Sequence, residues 1–129
     1  MDFELSGEQA QLRKTVREFA ERELGPHSRE WDEKQGFPRD VFSRLGGLGV
    51  AGCCWPEEYG GSGLSTLDWA VVMEELARVD AGVALSLAAH HSLASAHIHL
   101  AGSDEQKRRF LAPLARGEKV GCWGLTEPG

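Results

Sequence analysis

Four of the five histidines, His90, His91, His97 and His99, fall within ten residues, a density that first suggests a metal. On a helix His90 and His97 share a face but stand two turns, about 10 Å, apart, too far to hold one ion. His97 and His99 project to nearly opposite sides. No metal site is expected. Pocket lining and ordinary helix packing both stay open for His90, His91 and Ser92. Vicinal Cys53-Cys54 beside Trp55 and distant Cys122 fit neither a disulfide framework nor a zinc spacing, so reduced structural thiols are expected. A Ser-His-Asp or Cys-His arrangement is recognised by spatial geometry, and spacing alone argues none. Glu74-Glu75 could pass for paired catalytic carboxylates, yet on a helix they are expected at the surface. The Gly-rich stretch 46–63 lacks the Gly-Lys-Ser/Thr of a phosphate loop and follows no convincing strand, so it is expected to be a connector with tight turns.

The elements that carry these residues are helical. Ser6 with Gln9, Ser65 with Asp68 and Ser103 with Gln106 are helix-start signatures. Leu12, Val16, Phe19, Ala20 and Leu24 recur at spacings of three and four on the first helix. Gly25-Pro26 ends or kinks it, and residues 27–34 extend it. Pro38 starts a second helix with Val41, Phe42 and Leu45 inward, closed by Gly46-Gly47. Thr66 to Val79 forms a third, with Trp69, Val72, Met73 and Leu76 on one face; Trp31, Trp55 and Trp69 read as core or interface fillers. Asp80 opens a fourth, from Ala81 to about Leu100, apolar or small on nearly every side and so surrounded by neighbours. Gly102 is expected to end it left-handed. Phe110, Leu111 and Leu114 face the core from a fifth helix, which Gly117 stops. Val120 to Thr126 reads as a strand. A lone strand leaves its backbone groups unsatisfied, so the chain looks cut inside a larger protein.

The totals narrow the partners. The net charge is −6, from 20 acids against 14 bases, and the basic run Lys107-Arg108-Arg109 reads as a solvated face; no nucleic acid or anionic membrane is expected. The apolar stretch 81–101 carries four histidines and three serines, so no membrane span is expected. The acidic amphipathic start is unlike a signal peptide. A cytoplasmic location is expected, or the mitochondrial matrix in a eukaryote, where a transit peptide would have been removed ahead of Met1.

The terminal run Gly121-Cys122-Trp123-Gly124-Leu125-Thr126-Glu127-Pro128-Gly129 resembles the acyl-CoA dehydrogenase signature: an aromatic, a small residue, an aliphatic, Ser or Thr, then Glu-Pro before a Gly-Ser-Asp turn. Trp123, Leu125, Thr126, Glu127, Pro128 and Gly129 match it. Upstream, Leu5-Ser6-x-Glu8-Gln9, Trp31-Asp32 with Phe37-Pro38, and Pro56-x-Glu58-Tyr59-Gly60-Gly61-x-Gly63 resemble the family in its order. So do Glu74-Glu75-Leu76-Ala77-Arg78, Gly102-Ser103-x-Glu105-Gln106-Lys107 and Leu114-x-x-Gly117-Glu118. The resemblance covers essentially the whole chain.

It implies an all-α fold, an orthogonal bundle of about five helices over residues 1–119, with residues 120–129 starting a middle β-domain. It implies FAD as cofactor, bound by Trp123, Gly124, Leu125, Thr126, Glu127, Pro128 and Gly129. Trp123 would flank the ring, and Leu125 and Thr126 would supply backbone and hydroxyl hydrogen bonds to its edge. Pro128 and Gly129 would shape the turn, with Glu127 structural there. Ala88, Ala89, His90 and Ser92 would belong to an acyl-pocket wall. The reaction implied is α,β-dehydrogenation of an acyl-CoA thioester, in fatty acid or amino acid catabolism. Its carboxylate base lies beyond residue 129, electrons pass to an electron-transferring flavoprotein, and the full-length protein is a homo-oligomer. The competing readings are a non-enzymatic helical module that binds a protein partner and a noncatalytic flavin or acyl-CoA binder.

Overall fold

A computed structural model describes residues 4–126 and residue 128. It is all-helical, with six helices. Helix α1 (Gly7–Phe19) starts at a capping box in which the Gln9 N–H donates to Ser6 Oγ at 3.1 Å and the Ser6 N–H to Gln9 Oε1 at 3.0 Å. It continues through Ala20–Leu24, where the turn widens to π spacing, and Val16, Phe19, Ala20 and Leu24 are all buried, as their spacing predicts. Residues expected to extend this helix form a separate one, α2 (Ser28–Lys34), which raises the count from five to six. Pro26 has no N–H to continue the ladder, so the chain turns there. Helix α3 (Arg39–Gly47) buries Val41, Phe42 and Leu45.

The Gly-rich connector is not a surface loop. Val50, Ala51, Cys53, Trp55 and Tyr59 are buried, and only Glu57–Tyr59 makes a helical turn. Three bonds pinch it shut: Ser62 N–H to Gly52 O at 3.1 Å, Gly63 N–H to Trp55 O at 2.9 Å, and Leu64 N–H to Cys53 O at 2.9 Å. Gly61 lies so close to Trp55 that a Cβ there would sit 2.1 Å from the Trp55 carbonyl oxygen. Glycine is needed for close approach.

Helix α4 (Thr66–Ala77) is capped by Ser65 and Asp68 as expected. Helix α5 begins at Ala81–Ala88, widens over Ala89–Ser95 and ends at Ala96–Ala101; Asp80 caps it by accepting the Val83 N–H at 2.8 Å. Helix α6 runs through Asp104–Gln106, Lys107–Leu111 and Ala112–Ala115. Helix α1 packs on α4 and α4 on α5, which joins α1, α3, α4 and α5 in one core. No helix among the described residues is long and apolar enough to cross a membrane.

Four expectations are corrected. Gly102 is extended rather than left-handed (φ −76°, ψ 148°); it is glycine because a Cβ would lie 2.5 Å from the Ile98 carbonyl oxygen. Phe110 is exposed, because the π widening of Lys107–Leu111 shifts the inward position to Leu111, and the Arg109 guanidinium covers its ring at 4.9 Å. Glu75 is fully buried, while its neighbour Glu74 stays exposed. Val120 to Thr126 forms no strand: among the described residues no ladder partner faces it, and a strand exists only as a bonded pair.

Candidate functional site

The terminal segment is held against the far half of α5 by two histidines. His90 is fully buried and bonded at both ring nitrogens. Its Nε2 lies 3.1 Å from Leu114 O, and the Gly121 N–H donates to its Nδ1 at 3.0 Å. A carbonyl only accepts and an amide N–H only donates, so Nε2 carries the proton and Nδ1 is bare. Burial pushes the His90 pKa down, which keeps this neutral form. Gly121 fits because it has no side chain: a Cβ would sit 2.6 Å from Ala94 Cβ. Two residues on, the Trp123 indole lies against the His97 ring, with centroids 4.7 Å apart and planes at 31°.

Beyond Gly121 the segment stands clear. Trp123 is 43% exposed and Leu125 71%, and Gly124 has nothing near its Cβ position. Among the described residues no backbone hydrogen bond reaches Cys122 to Thr126. Such a strip presents an aromatic face, an aliphatic side chain, the Thr126 hydroxyl and free N–H donors. Glu127 and Gly129 lie outside the described residues; Pro128 is exposed.

The other candidates are not gathered round one pocket. Ala88 and Ala89 are half-buried, Ser92 is exposed, and His90 points into the core. The open cleft of about 820 Å³ lies elsewhere, between Trp31, Phe37 and Pro38 on one side and Asp80, Val83 and Ser86 on the other. It was missed in the sequence because the α2–α3 turn and the start of α5 meet only in the folded chain. His91 is sandwiched between Trp69 (4.0 Å, 16°) and Trp55 (4.4 Å, 18°), and its Nε2 accepts the Cys54 N–H at 3.3 Å. Burial pushes its pKa down to about 4. His99 lies on the Trp55 ring. His91 and His99 thus share the Trp55 ring while His90 and His97 have partners of their own, and the four do not converge. Cys53 is buried, and burial pushes its thiol up to about 12, as suits an inert structural thiol.

The Acyl-CoA dehydrogenase, N-terminal domain model matches residues 6–118. The short-chain specific acyl-CoA dehydrogenase of Clostridium acetobutylicum is 44% identical over 99% of this chain and 34% of its own length. A chain of the electron transferring flavoprotein structure from Acidaminococcus fermentans superposes with a TM-score of 0.93 at 42% identity, over 99% of this chain and 34% of that one. Acyl-CoA dehydrogenase complexed with FAD from Bacillus anthracis superposes at 0.89 and 36% identity, over 97% of this chain and 21% of its own. The chain spans about a third of the length of the curated relatives it matches. With the family match running from the first helix cap to the residue after Gly117, the chain belongs to the acyl-CoA dehydrogenase family, and what it carries is that family's N-terminal helical domain.

Proposed function

We propose that this chain is the N-terminal part of an FAD-dependent acyl-CoA dehydrogenase that converts an acyl-CoA thioester to the trans-2-enoyl-CoA. Residues 1–119 are its helical domain, and residues 120–129 begin its middle β-domain. The observation that carries the reading is the match of the acyl-CoA dehydrogenase N-terminal domain to residues 6–118, with the motif-bearing terminal run rooted on α5 through Gly121. Its chemistry fits FAD, whose supply when bound is a hydride acceptor for the acyl β-carbon while a carboxylate outside this chain removes the α-proton.

This chain's own part is to seat and orient. The Trp123 face flanks the ring and keeps water from it, and the Leu125 backbone and the Thr126 hydroxyl donate to its edge. Donors fixed in a water-poor site stabilise negative charge developing there better than water does, because they need not reorganise. Glu127 keeps a structural place at the turn rather than serving as base. Ala88, Ala89 and Ser92, small residues on α5, leave room for an acyl chain beside them, with His90 behind. An electron-transferring flavoprotein takes the electrons, and the full-length protein assembles with copies of itself.

Purified full-length protein is expected to be yellow, with a flavin band that bleaches on adding an acyl-CoA. Thr126→Ala in that protein is expected to weaken FAD binding by up to about tenfold, the loss of one hydrogen bond to the ring edge. A colourless full-length protein that gains no band with added FAD would overturn the proposal and favour a non-enzymatic helical module.

A further inference from the structure

We infer that His90 and His97 are a two-point clasp that positions the FAD-binding strip. His90 fixes its root through the Gly121 N–H, and His97 backs the Trp123 indole so that its opposite face is presented to the ring. The inference rests on the proposed flavin seat and adds the residues that set its position. The two histidines are seven residues apart across the widened turns of Ala89–Ser95, His90 in the core and His97 at the surface, and the strip meets them in turn at Gly121 and Trp123. The strip therefore runs along α5 in the direction of that helix, rooted at one histidine and resting on the other.

Both rings are held on their far sides. His90 Nε2 donates to Leu114 O, so α6 fixes the imidazole before it accepts from Gly121. His97 Nδ1 donates to Leu93 O one turn back on α5, which leaves its face to Trp123. Cys122 and Gly124, either side of the indole, are exposed, while His90 by a hydrogen bond and His97 by a ring contact tie the strip to α5. A ring cofactor needs its flanking indole placed to within a fraction of an ångström, and a side chain positioned by other fixed side chains meets that need.

The test uses full-length protein stripped of flavin and titrated with FAD, with visible circular dichroism of the bound flavin as the positional readout. In His90→Asn the amide oxygen takes the place of Nδ1 and still accepts from Gly121. In His90→Gln the amide reaches the Nε2 position and serves Leu114 alone. The expected result is FAD affinity near wild type for His90→Asn and about tenfold weaker for His90→Gln, because the Gly121 N–H is then buried without an acceptor. His97→Ala is expected to weaken FAD severalfold and alter the dichroism; His97→Phe, which restores a ring under the indole, recovers both. Wild-type affinity and dichroism in both His90→Gln and His97→Ala would overturn the inference, and loss of FAD by Thr126→Ala in the same series would leave the flavin seat standing. If the parent protein takes up no FAD, seat and clasp fall together. Should His90→Gln fail to unfold cooperatively, the His97→Ala and His97→Phe pair decides, since that ring lies at the surface.

Discussion

Gly117→Ala is expected to destabilise the chain by about 3–4 kcal/mol, the larger share from overlap with neighbouring backbone rather than from its own dihedral angles. Gly117 ends α6 with φ +69°, and a Cβ there would lie 2.2 Å from the Phe42 carbonyl oxygen and 3.0 Å from Gly46 Cα. Both obstacles belong to α3, which cannot yield without moving Phe42 and Leu45 in the core. The approach is reciprocal: a Cβ on Gly46 would meet Arg116 O at 2.0 Å. Two chain segments therefore touch backbone to backbone where α3 passes the end of α6. Gly63 provides the control. It too is left-handed, at φ +63°, but nothing lies near its Cβ position, so Gly63→Ala is expected to cost about 1 kcal/mol, the left-handed penalty alone. Urea unfolding of the two variants separates the effects, and Gly117→Asn sharpens the comparison, because asparagine tolerates the left-handed region but still carries a Cβ. Equal losses at positions 117 and 63, or a mild Gly117→Asn, would show that α3 can make room. The contact matters to the site as well, since Gly117 stands three residues before Val120, where the strip leaves the bundle.

Contrasts like this one separate what could be read from the sequence from what could not. The three capping boxes at Ser6, Ser65 and Ser103 were legible because both partners lie within one turn. Gly117 and Gly102 both follow helices and look alike in sequence. One is left-handed and the other extended, and a nearby carbonyl oxygen, Phe42 O or Ile98 O, leaves no room for a Cβ at either. Val120–Thr126 has a strand's composition, but pairing is a property of two segments, and the second is not among the described residues. The same holds for the histidines. Their spacing excludes a shared ion, yet which backbone His90 grips depends on Leu114 and Gly121, 24 and 31 residues away. The flavin-binding reading of Trp123 to Thr126 came from a motif; periodicity would have left them a stray strand.

Glu75 is the other place where a long-range partner inverts a local expectation, and it sets the second large effect. Its carboxylate is completely buried between α1 and α4, accepting from Arg13 Nε at 2.9 Å and from Arg17 Nε and Nη2 at 2.8 Å each, with Arg78 Nε 3.6 Å away. Arg17 and Arg13 hydrogen bonds outweigh burial and hold its pKa down at about 2. Glu75→Gln is expected to cost about 3 kcal/mol at neutral pH, the lower part of the range for breaking a buried ion pair. The reason for the lower part is that Arg13 and Arg17 are about 40% exposed and rehydrate once the charge is gone. The direction with pH follows from the depressed pKa. The unfolded chain binds this proton near the ordinary carboxylate value of 4.5, before the folded chain does at about 2, so the stabilisation is complete above the first value and drains away as pH falls between the two. The difference in unfolding free energy between wild type and Glu75→Gln should thus be constant from pH 7 to about 5, shrink through pH 4 and 3, and nearly vanish by pH 2. A penalty that persists unchanged at pH 2.5 would mean that shape, not charge, holds α1 to α4. Since α4 also packs on α5, which carries both clasp histidines, loosening this joint is expected to reach the flavin strip only through the core and to lower stability before it alters the strip's geometry.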